Sequence, residues 1–383
     1  MPEQDSYVIS KTSSIHFPAD YDSILQRMHS VDPVLYGKSR NYINGAVTYL
    51  SPYISRGVIT VKEVMDAVLQ KGYQPVEIEV FLKELAWREY FQRVWQYAGS
   101  NINKDIKQPQ QAVMHHHMID AVNNARTGVQ GLDTAIKQLY NSGYIHNHVR
   151  MYLASVICNV GKAYWLHPSA WLYYHLLDGD IASNICSWQW VCGTFASKKY
   201  YFNQDNLNKY SNTNQQNTFL DKSYEEIFTM PVPAVLQSNS MVNLQTQLPH
   251  TPVPSISLNK PTLIYNTYNL DAKWRITEDV NRVLLLEPSH FNQHPVSQHV
   301  IEFVMALAKN INNLFVYTGE IAEVASWYTN AGMAVEANII SKEHPAFAHY
   351  PGIKDDRHWM YPSVTGYYPS FFSYWKACKK FLM

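Results

Sequence analysis

The sequence predicts a mainly α fold: an all-helical domain followed by a small α/β domain with a parallel sheet. Three observations predict it. Between residues 19 and 211, segment after segment carries apolar residues at three- and four-residue spacing, and strand signals are scarce. Residues 212–260 turn polar and proline-containing through NTNQQN and QSNSMVNLQTQLPHTPVPSISLNKP, the composition of an interdomain linker or a long wrapping segment. Beyond Pro261, strand-like and helix-period stretches alternate, as in a parallel α/β layer. The expected division is 1–211, 212–260 and 261–383.

The helical elements follow from period and stop signals. VITVKEVMDAVLQKG (58–72), VEIEVFLKELAWREYFQRVWQYAG (76–99) and LDTAIKQLYNSG (132–143) each keep an apolar stripe and end at glycine. HNHVRMYLASVICNVGKAYW (146–165) continues the pattern. In the last third, PTLIYNTY (261–268), RVLLLEPSHF (282–291), LFVYTG (314–319) and AVEANIIS (334–341) read as strands. PVSQHVIEFVMALAKNI (295–311) and IAEVASWYTNAG (321–332) read as helices. No GxGxxG or P-loop occurs there, so a dinucleotide role for that domain has no support.

Composition narrows the function classes. The 383 residues are 46% hydrophobic without a run long enough to span a membrane. The first residues, MPEQDSYVISKTSS, lack the basic and apolar regions of a signal peptide. Cys158, Cys186, Cys192 and Cys378 form no CxxC pair, so a reduced cytoplasmic protein with no metal site is expected. Net charge is zero. A nucleic-acid site would therefore be a local patch, not a global field. The 28 Tyr and 10 Trp supply a core, or the walls of a pocket for a flat ligand.

Four segments set polar and aromatic groups on otherwise apolar helices. In AVTYLSPYISRG (46–57), Pro52 sits where it can open a helix. The free N–H groups of a helix start suit an anion, although plain capping by Ser51 explains the segment as well. In KELAWREYFQRVW (83–95), Glu84, Trp87 and Arg88 share one helical side. The plain reading is a Glu84–Arg88 surface pair; the functional one is an indole stacking on a base or a flavin-like ring. In GYIHNHVRMY (143–152), His146 and His148 do not share a face, which favours a helix-start cluster over a metal site. Arg150 needs a partner if buried, with Asp178 and Asp180 as candidates. In DGDIASNICSWQW (178–190), two carboxylates precede an apparent helix, where they are favoured. Asn184 offers both donor and acceptor, and Trp188 and Trp190 project in different directions.

Taken together, T-x-L-S-P-Y, E-L-x-W-R-E, I-H-N-x-x-R-M and D-G-D-x-A-S-N-x-x-x-W-Q-W, in this order and over roughly residues 35–200, resemble the FAD-binding domain of the DNA photolyase/cryptochrome family. The resemblance implies a photolyase-type FAD-binding domain with FAD as cofactor. By it, Thr48, Leu50 and Ser51 match the diphosphate segment and Arg88 an arginine near the flavin phosphates. Arg150 and Asp178 match the ion pair over the flavin, Asp178 and Asp180 the acids at its edge, and Asn184 the residue facing N5. Trp188 matches the first tryptophan of the photoreduction chain. Trp165, 23 positions earlier, matches the second. The third would fall near Ala112, where no tryptophan stands; Tyr164 and Tyr174 are alternatives between which the sequence does not choose. Glu84, Trp87, Asn147, Met151 and Trp190 match residues that contact the pyrimidine dimer in repair enzymes.

The implied function is blue-light repair of cyclobutane pyrimidine dimers in DNA by electron transfer from reduced flavin. Single-stranded DNA is the expected preference because the charge balance gives little grip on a duplex. A monomer without membrane attachment is expected. The alternative is a cryptochrome-like photoreceptor that binds FAD and repairs nothing. His148, where many relatives carry an arginine, and the missing third tryptophan favour it. A helical protein without flavin is a third reading, which requires four ordered motifs to coincide. ASKKYYFNQDNLNKYS (196–211) resembles a stretch of the iron–sulfur branch, but no cluster cysteines follow, so no iron–sulfur cluster is expected. The family's antenna domain precedes the helical one; here the α/β segment comes last. It reads as a relocated, reduced antenna domain, for which no second antenna chromophore is expected.

Overall fold

The computed structural model describes residues 15–382. The N-terminal segment read against a signal peptide lies outside the described residues. The helical part begins with α1 (Tyr21–His29), α2 (Pro33–Ser39), α3 (Ser51–Ser55), α4 (Val61–Leu69) and the 20-residue α5 (Glu79–Ala98). It continues through α6 (Asp120–Asn123), α7 (Gln130–Ser142), α8 (Asn147–Ala154), α9 (Leu166–His175), α10 (Ile181–Cys192) and α11 (Gln204–Ser211). Local chemistry sets these boundaries. Thr60 and Glu63 form a reciprocal capping box at the start of α4. Gly143, with φ 64°, closes α7 in the left-handed conformation open to glycine. Residues 155–160 continue α8 as a π-helical turn, where Ser155 Oγ and Asn159 Nδ2 both donate to the Tyr200 carbonyl.

Residues 212–260 hold α12 (Tyr224–Thr229) and then run extended over the surface of both layers. A two-residue antiparallel pairing joins β1 (Met118–Ile119) to β2 (Asn239–Ser240). Further along, Val242 N donates to His167, and the Thr246 hydroxyl donates to the Val296 carbonyl.

The α/β part contains β3 (Thr262–Tyr265), β4 (Asn281–Leu286), α13 (Pro288–Gln293), α14 (Gln298–Ala308), β5 (Leu314–Thr318), α15 (Ile321–Thr329), α16 (Val335–Asn338), β6 (Ile339–Lys342), β7 (Ile353–Asp355) and α17 (Phe371–Cys378). Its five strands pair in the order β5-β4-β3-β6-β7, all parallel, with Ile264 opposite Val283 and Ser341. Every residue of β3 and β4 is buried, as expected of a parallel sheet covered on both faces. The stretch 334–341 is a correction: it opens as a helical turn, and only its second half is strand. Val335–Asn338 has the alternation of a strand, but none of its side chains is buried, so no packing favours extension there.

Arg56 joins the two parts. It is 1% exposed and donates to the carbonyls of Leu176, Leu177 and Thr267. A Cβ at neighbouring Gly57 would lie 2.3 Å from the Tyr268 oxygen, so glycine is needed where the backbones meet. The chain end then returns to the helical part. Glu89 on α5 is buried and accepts from Met360 N, Tyr361 N and the Tyr374 hydroxyl. No helix among the described residues is long and apolar enough to cross a membrane.

Candidate functional site

The site forms where α3, α5, α8 and the start of α10 converge. Asp180 is the N-cap of α10 and accepts from Ser183 N at 2.7 Å, the local reason a carboxylate stands there. Its second oxygen takes Gln92 Nε2 at 2.6 Å and lies 3.4 Å from Arg88 Nη2. Arg88 also donates to Ser55 Oγ (2.8 Å), which in turn donates to the Asp178 carbonyl (2.7 Å). Asp178, two residues before the cap, accepts Arg150 Nη2 on both oxygens at 3.0 and 2.8 Å. Arg150 Nε is tied to the Ile145 carbonyl, and its guanidinium stands over the Tyr144 ring. Two ion pairs thus interlock through one serine.

Arg150 reaches Asp178 because α8 starts on the residues the sequence marked. His146 caps α8 and accepts from His148 N. His148 turns its ring to the Asn41 carbonyl and stacks on Tyr152, so the pair is a helix-start cluster. Burial lowers the proton affinity of both histidines, that of His146 to about 4.

Asn184 and the indoles lie along α10. Asn184 Nδ2 donates to the Ser169 carbonyl at 2.8 Å, which fixes the amide with its oxygen as the remaining free group. Trp188 is buried and Trp190 is 37% exposed beside Tyr200. Trp165, at the head of α9, is fully buried and donates Nε1–H to Asp105 Oδ1.

The dimer-contact candidates spread around an outer rim. Trp87 is half-buried with one face against Phe371 of α17, centroids 3.8 Å apart and planes 10° apart. Asn147 is exposed and Met151 half-buried. Glu84 pairs with Arg40 at 3.2 Å and not with Arg88, which corrects the plain reading of that helix: Arg88 is drawn to the more deeply buried Asp180. Desolvation raises the proton affinity of Glu84, with the Arg40 charge opposing.

The diphosphate segment needs a second correction. α3 has only five residues, begins at Ser51 and has no side-chain cap, so neither Ser51 capping nor an appreciable dipole operates. Thr48 Oγ1 accepts from Leu50 N, Leu50 is buried, and Tyr49 between them holds φ 53°. That is an uncommon conformation for a bulky side chain. Sequence reasoning missed Arg40, Ser55, Gln92, Asp105 and Phe371. Gln92 was findable, lying one turn beyond Arg88 on the same face.

The donor set suits a ligand with an anionic segment and a polar heterocyclic edge. Ser55, Arg88 and Asp180 line a cavity, the Arg150–Asp178 pair and Asn184 lie on the adjoining elements, and Ser183 Oγ, beside Asn184, is buried without a partner among the described residues. These residue types fit the phosphates and the polar ring edge of an FAD molecule.

A family model described as the FAD binding domain of DNA photolyase matches residues 81–251. The deoxyribodipyrimidine photo-lyase of Alkalihalophilus pseudofirmus is 30% identical over 156 residues, 40% of this chain and 33% of that protein. That of Streptomyces griseus is 29% identical over 155 residues, 39% of this chain and 32% of the other. The chain thus spans about a third of the length of these relatives. Among solved structures, a cryptochrome of Synechocystis covers 59% of this chain and 49% of its own at 22% identity, with a TM-score of 0.45. Over residues 81–251 the chain is thus similar to the FAD binding domain of DNA photolyase.

Proposed function

We propose that the protein binds FAD at the α3–α5–α8–α10 site and repairs cyclobutane pyrimidine dimers in DNA under blue light, with single strands preferred. The observation that carries this reading is the interlocked pair Arg150–Asp178 and Arg88–Asp180 beside Asn184. Reduced FAD, when bound, supplies a photoexcitable one-electron donor. The residues of the chain hold and orient it. Thr48 and Ser51 with Arg88 would take the phosphates; Asp178 and Asp180, each held by an arginine partner, would accept N–H groups. Asn184, its amide nitrogen held by the Ser169 carbonyl, would offer its oxygen to the flavin ring.

Trp87 and Trp190 offer stacking surfaces for a flipped dimer, and Phe371 holds Trp87 from behind. Glu84, paired with Arg40, would hydrogen-bond the flipped pyrimidines. The domain division carries over: 1–211 binds the flavin, 212–260 connects, and 261–383 is a relocated, reduced antenna domain. Its five parallel strands and its packing through Arg56 support that origin.

One observation favours the photoreceptor reading. His148 is held neutral by burial and bonded to Asn41, so it offers no charge to a DNA phosphate. The flavin chemistry is tested by following FAD absorption under blue light with a mild electron donor. Trp188→Phe should bind FAD and photoreduce about ten-fold more slowly, a barrier rise of about 1.4 kcal/mol. Photoreduction at the unsubstituted rate would remove Trp188 from the electron path.

A further inference from the structure

We propose that Tyr164 is the outer electron donor of the aromatic chain and that Asp105 takes its phenolic proton. The inference rests on the proposed FAD function and fills the position the sequence left open. Trp165 is fully buried, and its ring lies 5.7 Å, centroid to centroid, from that of half-buried Tyr164. One oxygen of Asp105 serves both: it accepts Trp165 Nε1–H at 2.7 Å and the Tyr164 hydroxyl at 3.0 Å. The other oxygen is anchored by Gln110 N at 2.9 Å. Outward of Tyr164 lies the exposed ring of His116, at 4.9 Å, so the series runs from the core to solvent.

The other candidate lacks these features. Tyr174 donates to the Gln245 carbonyl, and a backbone carbonyl cannot take a proton from an oxidised phenol.

Burial and the Asp105 charge push the Tyr164 phenol up to about 12, so it is un-ionised at neutral pH. Loss of an electron makes a phenol strongly acidic, and a carboxylate already bonded to it receives the proton. The step balances. FAD, when bound, would supply the one-electron oxidant on excitation by blue light, and Trp188 and Trp165 would pass the electron inward. The Trp165 radical cation regains its electron from Tyr164 as the phenolic proton moves to Asp105. Closed-shell Trp165, a neutral tyrosyl radical and protonated Asp105 result. Charge recombination then requires the proton to return, which lengthens the life of the separated pair.

Transient absorption of the full chain with FAD tests this. After a blue flash, the unsubstituted protein should end on the narrow band of a neutral tyrosyl radical. Tyr164→Phe should end on a tryptophan radical and recombine about ten-fold faster. Asp105→Asn should also lack the tyrosyl band, because an amide accepts no proton. An undiminished tyrosyl band in Tyr164→Phe, or an unsubstituted protein that ends on a tryptophan radical, would overturn the assignment while leaving the flavin reading intact. Failure of the chain to bind FAD would overturn both.

Discussion

Asp178→Ala should cost about 3 kcal/mol of folding stability, because it leaves the Arg150 guanidinium in a largely desolvated site without its counter-charge. The Asp178 side chain is 4% exposed and that of Arg150 21%, so water can replace little of the lost interaction. The Ser55 bond is made to the Asp178 backbone and survives, which isolates the charge effect. The double variant Arg150→Met/Asp178→Ala should recover at least half of the loss, since removing both partners leaves no unpaired charge. Urea unfolding of the four proteins gives the cycle. A change within about 0.5 kcal/mol for Asp178→Ala would put the pair in the class of solvent-screened surface contacts.

Acid should destabilise the fold well above the carboxylate range. Burial lowers the proton affinity of His146, His175 and His294 to about 4 and of His290 to about 3, and holds that of His344 well below its ordinary value. Their ordinary value is 6.5, so between pH 6.5 and 4 the unfolded chain binds protons the folded chain refuses. Stability is therefore full above pH 6.5 and falls as pH drops through that window. For His146 alone, 6% exposed, the effect approaches roughly 3 kcal/mol. Glu84, Glu89 and Glu287, raised mainly by desolvation, act in the opposite sense. Their contribution is present at low pH and is lost as pH rises above 4.5, so they offset part of the histidine effect. Denaturant midpoints at pH 7, 6 and 5 should decrease in that order. A midpoint constant from pH 7 to 5 would contradict the neutral, buried state of these imidazoles.

The parts of the site legible in the sequence are those written in local code. The spacing of Glu84, Trp87 and Arg88 set one helix face, the acids of DGDIASN marked the start of α10, and Gly143 marked the end of α7. The alternation beyond Pro261 announced the parallel sheet. What stayed hidden depends on long-range packing. Arg40 reaches Glu84 across 44 residues, and Phe371 reaches Trp87 from the far end of the chain. No periodicity encodes either contact. β7 has three residues and only part of it is shielded, too short for a pattern. Asp105 lies in an irregular stretch without a motif, and only the folded chain brings it to Trp165 and Tyr164.

The most direct measurement of the central claim is light-driven repair. The purified chain, supplied with FAD and a reductant, is illuminated with blue light beside a single-stranded oligonucleotide that contains one thymine dimer. Recovery of thymine ultraviolet absorbance is then followed against a dark control. Light-dependent recovery, lost in Trp87→Ala and Glu84→Ala, is the predicted result. A yellow protein that photoreduces normally and leaves the dimer intact would contradict it and establish the photoreceptor reading in its place.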